Sequence, residues 1–298
     1  MATDGSMRGR VCVVTGASSG IGKATAIGLS RLGATVVLVC RDPERGEAAR
    51  EEVAEAEATS GGQARLEVAD LSVQRDVREL AKRLHQRLDR LDVLVNNAGA
   101  IFGRRRESRD GVEMTFALNH LSAFLLTNLV VDMLRASAPS RVVNVASAAH
   151  QGARLDLDDP QMRRGYRPQR AYANSKLENI LFTYELARRL AGSGVTVNCV
   201  HPGTVRSGFG RDAGPLYRLG IRLLAPFTLT PEAGADTVVY LASSPQVSGV
   251  TGKYFYKRQA RPSSADSYDE AAARRLWDES VSLCRGGGQR FPLEAPPS

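Results

Sequence analysis

Six short runs of apolar, β-branched residues recur along the chain at 11–14, 35–40, 64–68, 91–95, 141–145 and 195–200, with longer stretches of helical spacing between them. Hydrophobicity that is continuous rather than alternating marks strands covered on both faces, which is the pattern of a parallel sheet. Strands that alternate with helices then specify a doubly wound α/β architecture. A seventh strand is expected at 252–256, after the turn-rich segment 243–249. Helical periodicity is clearest after Tyr172, where Leu177, Ile180, Leu181, Tyr184 and Ala187 keep one face apolar until Gly192 and Gly194 stop it. The expected organisation is a single domain over residues 9–284, with about seven strands. Residues 1–8 are expected to be flexible. The tail 285–298, with three consecutive glycines and three prolines, is expected to be disordered.

Composition narrows the classes of function. With 43% hydrophobic and 24% charged residues, the 298-residue chain falls in the globular range. Its longest apolar run, 124–131, contains Thr127 and Asn128 and is far shorter than the roughly 18–20 residues a membrane span needs. Residues 1–10 lack the apolar core of a signal peptide, so no integral membrane segment and a cytoplasmic location are expected. The net charge of +8 is scattered, and the tight run Arg104, Arg105, Arg106 has no interleaved aromatics. That run reads as a solvated loop, and no nucleic-acid partner is expected. Cys12, Cys40, Cys199 and Cys284 show no paired spacing, so they read as buried, reduced thiols, and no metal site is expected.

The first strand passes directly into Thr15-Gly16-Ala17-Ser18-Ser19-Gly20-Ile21-Gly22, and a helical pattern begins near Lys23. Glycines permit a tight turn and close backbone approach, and a helix N-terminus offers free N–H groups to a pyrophosphate. In this strand–turn–helix context the segment indicates a Rossmann-type dinucleotide fold, with Gly16, Ser18, Ser19, Gly20, Ile21 and Gly22 as candidate cofactor contacts. About 20 residues further on, such folds place an acid for the ribose 2′-OH or an arginine for a 2′-phosphate. Here Cys40 stands where the acid is expected and Arg41 follows, which favours NADP(H) over NAD(H). The alternative is that Arg41 is merely exposed and Asp42 serves the ribose.

Two further segments bear on the chemistry. Tyr172 and Lys176 are four residues apart at the start of the long helix and so share a face. A phenol, with an ordinary pKa of about 10, is a poor base at neutral pH, but a neighbouring ammonium stabilises the phenolate. Ser147 stands at the end of the fifth strand, where its hydroxyl can hydrogen-bond a substrate oxygen.

Together these segments resemble the short-chain dehydrogenase/reductase family in its single-domain form, over residues 8–256. The likeness extends through Asp70-Leu71 after the third strand, Asn96-Asn97-Ala98-Gly99 after the fourth and Asn119 in the following helix. It continues to His201-Pro202-Gly203-Thr204 after the sixth strand. The resemblance implies that Tyr172 donates or accepts the proton and that Ser147 orients the substrate oxygen. Lys176 would tune Tyr172 and bind the nicotinamide ribose, and Asn119 would hold a water of the proton relay. It further implies that Asp70 and Leu71 flank the adenine. Asn97, Ala98 and Gly99 would support the sheet and the cofactor ribose, and Pro202, Gly203 and Thr204 would line the nicotinamide end. Homodimers or homotetramers packed through the helices bearing Asn119 and Tyr172 are also implied.

Within that family the chain is similar to the retinol dehydrogenase branch. The likeness rests on Val39-Cys40-Arg41-Asp42, the 25-position gap from Ser147 to Tyr172, Ala187-Arg188-Arg189-Leu190, and Val250-Thr251-Gly252-Lys253-Tyr254-Phe255. It implies NADP(H) and an apolar alcohol, aldehyde or ketone. Many relatives carry an N-terminal membrane anchor, and no such run precedes the first strand here, so a membrane-held retinoid is not the expected substrate. Segment 203–231 mixes Phe209, Leu216, Tyr217 and Phe227 with Arg206, Arg211 and Arg218, and in this family resembles a mobile lid over an apolar ligand. His150 and His201 lie near strand ends, close enough to meet a substrate, and read as structural histidines. The leading expectation is a carbonyl–alcohol oxidoreductase. The alternative, a non-catalytic NAD(P)(H)-binding regulator, leaves Tyr172 without a use.

Overall fold

The computed structural model describes residues 6–57, 62–205 and 228–285, together with Phe291 and Leu293. Its eight-stranded sheet has the order β3-β2-β1-β4-β5-β6-β7-β8. The strands are β1 (Val11–Thr15), β2 (Thr35–Cys40), β3 (Gln63–Val68), β4 (Val93–Asn96), β5 (Ser140–Val145), β6 (Val195–Val200), β7 (Lys253–Tyr256) and β8 (Gln259–Arg261). The first seven pair in parallel, and β8 returns antiparallel to β7. The strand order reverses at the β1–β4 junction, where such sheets open a ligand crevice at their carboxyl ends.

The apolar runs are continuous because successive side chains enter two different cores. Val13 of β1 joins the core under α3 (Gln74–Arg87), α5 (Ser122–Leu129), α7 (Pro168–Arg189) and the C-terminal helix Glu270–Cys284. Its neighbours Cys12 and Val14 join the core under α1 (Gly20–Arg31), α2 (Pro43–Glu57) and the helix Pro231–Ser243. A short α4 (Met114–Phe116) leads through a π-helical turn (Ala117–Leu121) into α5, and α6 (Val131–Ala136) follows. Among the described residues no helix is long and apolar enough to cross a membrane.

The structure departs from the sequence reading in several places. Strand β3 lies at the sheet edge with Val68 43% exposed, so that run is not covered on both faces. The eighth strand was not expected, because its three residues are all exposed and carry no apolar signal. A tight turn at Lys257 and Arg258, both in the left-handed region, sets it beside β7. Helix α7 begins at Pro168, four residues before Tyr172, with proline in the first turn where its missing N–H costs nothing.

Both ends of the chain are tied down where they are described. The backbone N–H of Met7 donates to Leu32 O at 2.8 Å, and its side chain is buried. Phe291 and Leu293 are only 4% and 3% exposed. Phe291 meets Phe124 with ring centres 6.0 Å apart, and Arg189 donates to Leu293 O at 2.7 Å while lying over the Trp277 ring. Trp277 in turn stacks on Phe182 of α7. Phe124 of α5 and Phe182 and Arg189 of α7 are thereby covered by the chain's own C-terminal residues. Segment 206–227, where the lid residues Phe209, Leu216, Tyr217 and Phe227 fall, lies outside the described residues.

Candidate active site

The described candidate site residues follow the carboxyl ends of β1 to β6 or lie on the π-helical turn and α7. At the β1–β4 junction, Thr15 is the organiser. Its Oγ1 accepts from the backbone N–H groups of Asn97 (2.9 Å) and Ala98 (3.0 Å) and donates to Val95 O (3.3 Å). The Asn97 amide answers by donating to Thr15 O at 2.8 Å and Gly16 O at 3.3 Å. Thr15 was not singled out as a functional residue. The only hint was its place between a strand and a glycine.

The loop itself requires glycine for two separate reasons. Gly16 and Gly20 have φ of +67° and +57°, in the left-handed region. Gly22 has no such strain, but a Cβ there would stand 2.4 Å from Gly16 O and 2.5 Å from Asn97 Nδ2. Helix α1 starts at Gly20 behind Ser19, which makes no side-chain cap, and its first turn holds no acid. By contrast, α4, the helix Pro231–Ser243 and the C-terminal helix are capped by Glu113, Thr230 and Asp269. The leading N–H groups of α1 thus have no side-chain cap, as is also true of α6 and α7, and behind the glycine turn they suit the pyrophosphate of a dinucleotide.

Beyond β2, Cys40 is buried, with its thiol pushed up to about 11 by burial, while Arg41 and Asp42 are exposed. One Asp42 oxygen accepts the Arg45 N–H at 3.0 Å, so this carboxylate caps α2. Asp70 accepts from the N–H (3.0 Å) and hydroxyl (2.7 Å) of Ser72, which turns the chain toward α3, and Leu71 beside it is buried.

The second group gathers around Lys176. This side chain is 4% exposed, and its ammonium donates to Val145 O at 3.0 Å at the end of β5. Burial lowers its pKa from 10.5 to about 8. The same nitrogen lies 5.5 Å from the centre of the half-buried Tyr172 ring. Gly99 completes the contact, since a Cβ there would stand 3.2 Å from Asn119 Oδ1 and 3.6 Å from Lys176 Nζ.

Asn119 lies on the π-helical turn, a distortion that often marks functional sites. Its Oδ1 accepts Ala100 N–H at 2.8 Å, and its Nδ2 donates to Ala100 O (2.9 Å) and Ser175 Oγ (3.0 Å). Both amide protons are therefore engaged. The Ser175 hydroxyl donates to Tyr172 O at 2.8 Å, tying this network to the helix turn that carries the tyrosine.

Ser147 follows β5 and caps a 3-10 turn, Ala148–Gly152, by accepting Ala149 N–H at 3.2 Å. Of the two flagged histidines, His201 accepts Gly203 N–H at 3.3 Å and stacks on Tyr256, and burial lowers its pKa to about 4. His150 is buried and bonded through both ring nitrogens. Pro202, Gly203 and Thr204 leave β6 with Gly203 at φ +87°, and Thr204 O accepts Leu229 N–H at 2.8 Å. That bond closes the base of segment 206–227. Among the described residues, no cluster of three His, Cys, Asp or Glu side chains is suited to a metal.

Comparison with known proteins matches this arrangement to one family. The short chain dehydrogenase profile covers residues 10–215. Retinol dehydrogenase 14 of Mus musculus is 43% identical over 290 residues, spanning 93% of this chain and 86% of its own. Retinol dehydrogenase 13 of Homo sapiens is 41% identical over 301 residues, spanning 97% and 86%. Among solved structures, an uncharacterised protein from Mycobacterium Paratuberculosis superposes with a TM-score of 0.77 at 34% identity, over 98% of both chains. A Pseudomonas aeruginosa RhlG/NADP active-site complex superposes at 0.66 with 30% identity, over 85% of this chain and 96% of that one. A Rossmann sheet with this crevice, in a chain so similar to retinol dehydrogenases, belongs to the short-chain dehydrogenase/reductase family and is an NAD(P)-dependent oxidoreductase acting on CH–OH donors.

Proposed function

We propose that the chain uses NADP(H) to interconvert an aldehyde or ketone with its alcohol on an apolar small molecule, with Tyr172 passing the proton. The observation that carries this reading is the convergence of Lys176 and Asn119 on Gly99, with the Tyr172 ring centre 5.5 Å from the Lys176 ammonium. When bound, the nicotinamide supplies or accepts the hydride. The chain's own residues do the rest. The Lys176 ammonium beside the Tyr172 ring favours departure of the phenolic proton, and in the reduction direction that proton goes to the substrate oxygen. Ser147 accepts Ala149 N–H, which leaves its own hydroxyl proton to donate to the same oxygen. The Asn119 side chain, with both amide protons engaged, holds residues 99–100 at a fixed distance from α7.

The preference for NADP(H) is supported by the ends of β2 and α2. Asp42 is committed to capping α2, while Arg41 is exposed with a guanidinium suited to a 2′-phosphate. Gly16, Ser18, Ser19, Gly20, Ile21 and Gly22 would hold the pyrophosphate, Asp70 and Leu71 the adenine, and Asn97, Ala98 and Gly99 the ribose. Pro202, Gly203 and Thr204 would line the nicotinamide end. An apolar substrate is supported by the similarity to retinol dehydrogenases. Titration with NADPH and NADH, followed by nicotinamide fluorescence, and then addition of a panel of apolar aldehydes and ketones tests the reading. Tighter NADPH binding and oxidation of NADPH by one carbonyl class is the expected result. Equal affinity for the two cofactors would remove the preference, and binding without turnover across the panel would remove the substrate class.

A further inference from the structure

His150 stands outside the family pattern that identifies the site, yet it is bonded directly to the segment that presents Ser147. Its Nδ1 lies 2.6 Å from Ser147 O, and its Nε2 accepts the backbone N–H of Ser264 at 3.1 Å. The partners define the tautomer: a carbonyl requires a proton on Nδ1, and an amide N–H requires a lone pair on Nε2. With both nitrogens occupied, the ring has no site left from which to exchange protons with a substrate. It is 1% exposed and packs against Tyr254 of β7, with ring centres 5.1 Å apart.

The residue that precedes Ser264 in the chain is itself anchored. Ser263 Oγ lies 2.7 Å from the Tyr184 hydroxyl on α7 and 2.6 Å from Ser267 Oγ, and Ser263 N–H donates to the Tyr268 hydroxyl at 3.1 Å. Tyr184 and Tyr268 stack on each other. The stretch after β8 is therefore tied to the same helix that carries Tyr172 and Lys176. His150 connects that stretch to the turn after β5. We infer that His150 is a positioning residue: by bridging Ser147 O to Ser264 N–H, it fixes the direction of the Ser147 hydroxyl relative to α7 and Tyr172.

The physical consequence follows from the geometry of the turn. Ser147 O accepts both the His150 ring and, at 3.2 Å, the His150 backbone N–H, while Ser147 Oγ accepts Ala149 N–H. Removing the ring leaves the carbonyl held by the His150 backbone N–H alone, so the peptide plane and the hydroxyl beside it are less tightly fixed. A misplacement of about 1 Å in a reacting constellation costs roughly 100-fold in rate.

This inference rests on the proposed role of Ser147, so the test has an arm that does not need turnover. Full-length wild type, His150→Ala and His150→Gln are compared for NADPH affinity by nicotinamide fluorescence. Their kcat and KM are measured on whichever aldehyde or ketone of the panel the wild type reduces fastest. Hydrogen–deuterium exchange is followed over 146–153 and 261–268. His150→Ala is expected to lower kcat by about 10- to 100-fold with NADPH affinity within about twofold of wild type. Both peptides should exchange faster together. His150→Gln, which can donate with its amide and accept with its carbonyl, is expected to recover most of the lost kcat. Unchanged kcat in His150→Ala would overturn the inference, as would a loss shared with NADPH affinity that glutamine does not rescue. If the wild type reduces no carbonyl, the proposed function fails first. The exchange arm still decides the bridge, since acceleration confined to 146–153 would mean that Ser264 is not held through His150.

Discussion

The two banks of the crevice are built from different parts of the chain. Along β1 and the start of α1 the groups proposed to work are backbone N–H groups, and the sequence contributes mainly by leaving side chains out, at Gly16, Gly20 and Gly22. Around β5, α7 and the π-helical turn the groups proposed to work are side chains, each hung from a backbone carbonyl or amide: Lys176 from Val145 O, Asn119 from Ala100, Ser147 from Ala149 N–H. The first bank is thus vulnerable to any added atom. The second is vulnerable to the loss of one polar atom with the fold left intact.

The largest expected effect breaks the second bank alone. Tyr172→Phe removes the transferable proton and leaves the aromatic ring beside Lys176, so turnover should fall by about 10²–10⁴-fold. NADPH affinity should be nearly unchanged, because the glycine loop and Lys176 are untouched. Steady-state rates together with a fluorescence titration check both halves, and turnover within tenfold of wild type would take Tyr172 out of the role. The converse experiment breaks the first bank. Gly22→Ala puts a methyl group 2.4 Å from Gly16 O, a separation that backbone atoms on both sides have to relieve by moving. NADPH affinity should drop by roughly 100-fold, about 2.7 kcal/mol, while circular dichroism stays native-like. An unaltered affinity would mean that the loop does not seat the pyrophosphate.

How far each bank is legible in the sequence follows the same division. The glycine loop could be read because strand, turn and helix are contiguous, and the strands because Cys12, Val13 and Val14 feed cores on opposite faces of the sheet. Ser147, Tyr172 and Lys176 could be placed at strand and helix ends, but their supports could not. The bonds from Thr15 to Asn97, from Asn119 to Ser175 and from His150 to Ser264 join residues 56 to 114 positions apart, so they depend on register and helix packing rather than local pattern. Strand β8 was missed because Gln259, Ala260 and Arg261 are all exposed. The burial of Phe291 and Leu293 could not be read locally, because their partners Phe124 and Arg189 are distant in sequence.

A third experiment sharpens the contrast by separating stability from function within the second bank. Lys176 is a buried ammonium whose pKa falls from 10.5 to about 8 on folding. A depressed lysine means that the unfolded chain binds more protons between pH 8 and 10.5, so the stability of the cofactor-free protein should rise with pH across that window. Below pH 8 the penalty is fully present, on the order of 3 kcal/mol. Lys176→Met should therefore raise the Tm of the cofactor-free protein at pH 7 and flatten its pH dependence between 8 and 10.5, while turnover collapses. A Tm that falls in the variant would show that the Val145 hydrogen bond outweighs the cost of burying the charge.

The smallest effect belongs to the outer end of the first bank, where side chains reappear. Arg41 is exposed, so its attraction for a 2′-phosphate is weakened by solvent and salt. Arg41→Ala should weaken NADPH by about tenfold, the loss of one charge-assisted contact, and leave NADH nearly unchanged. The ratio of the two affinities, measured at low and at physiological salt, isolates this contribution from any general damage to the loop. Asp42 supplies the internal control, since its carboxylate already caps α2 and Asp42→Asn keeps an acceptor for Arg45 N–H. If Arg41→Ala weakens both cofactors alike, or Asp42→Asn weakens NADH, then the ribose is held by Asp42 and the preference for NADP(H) fails.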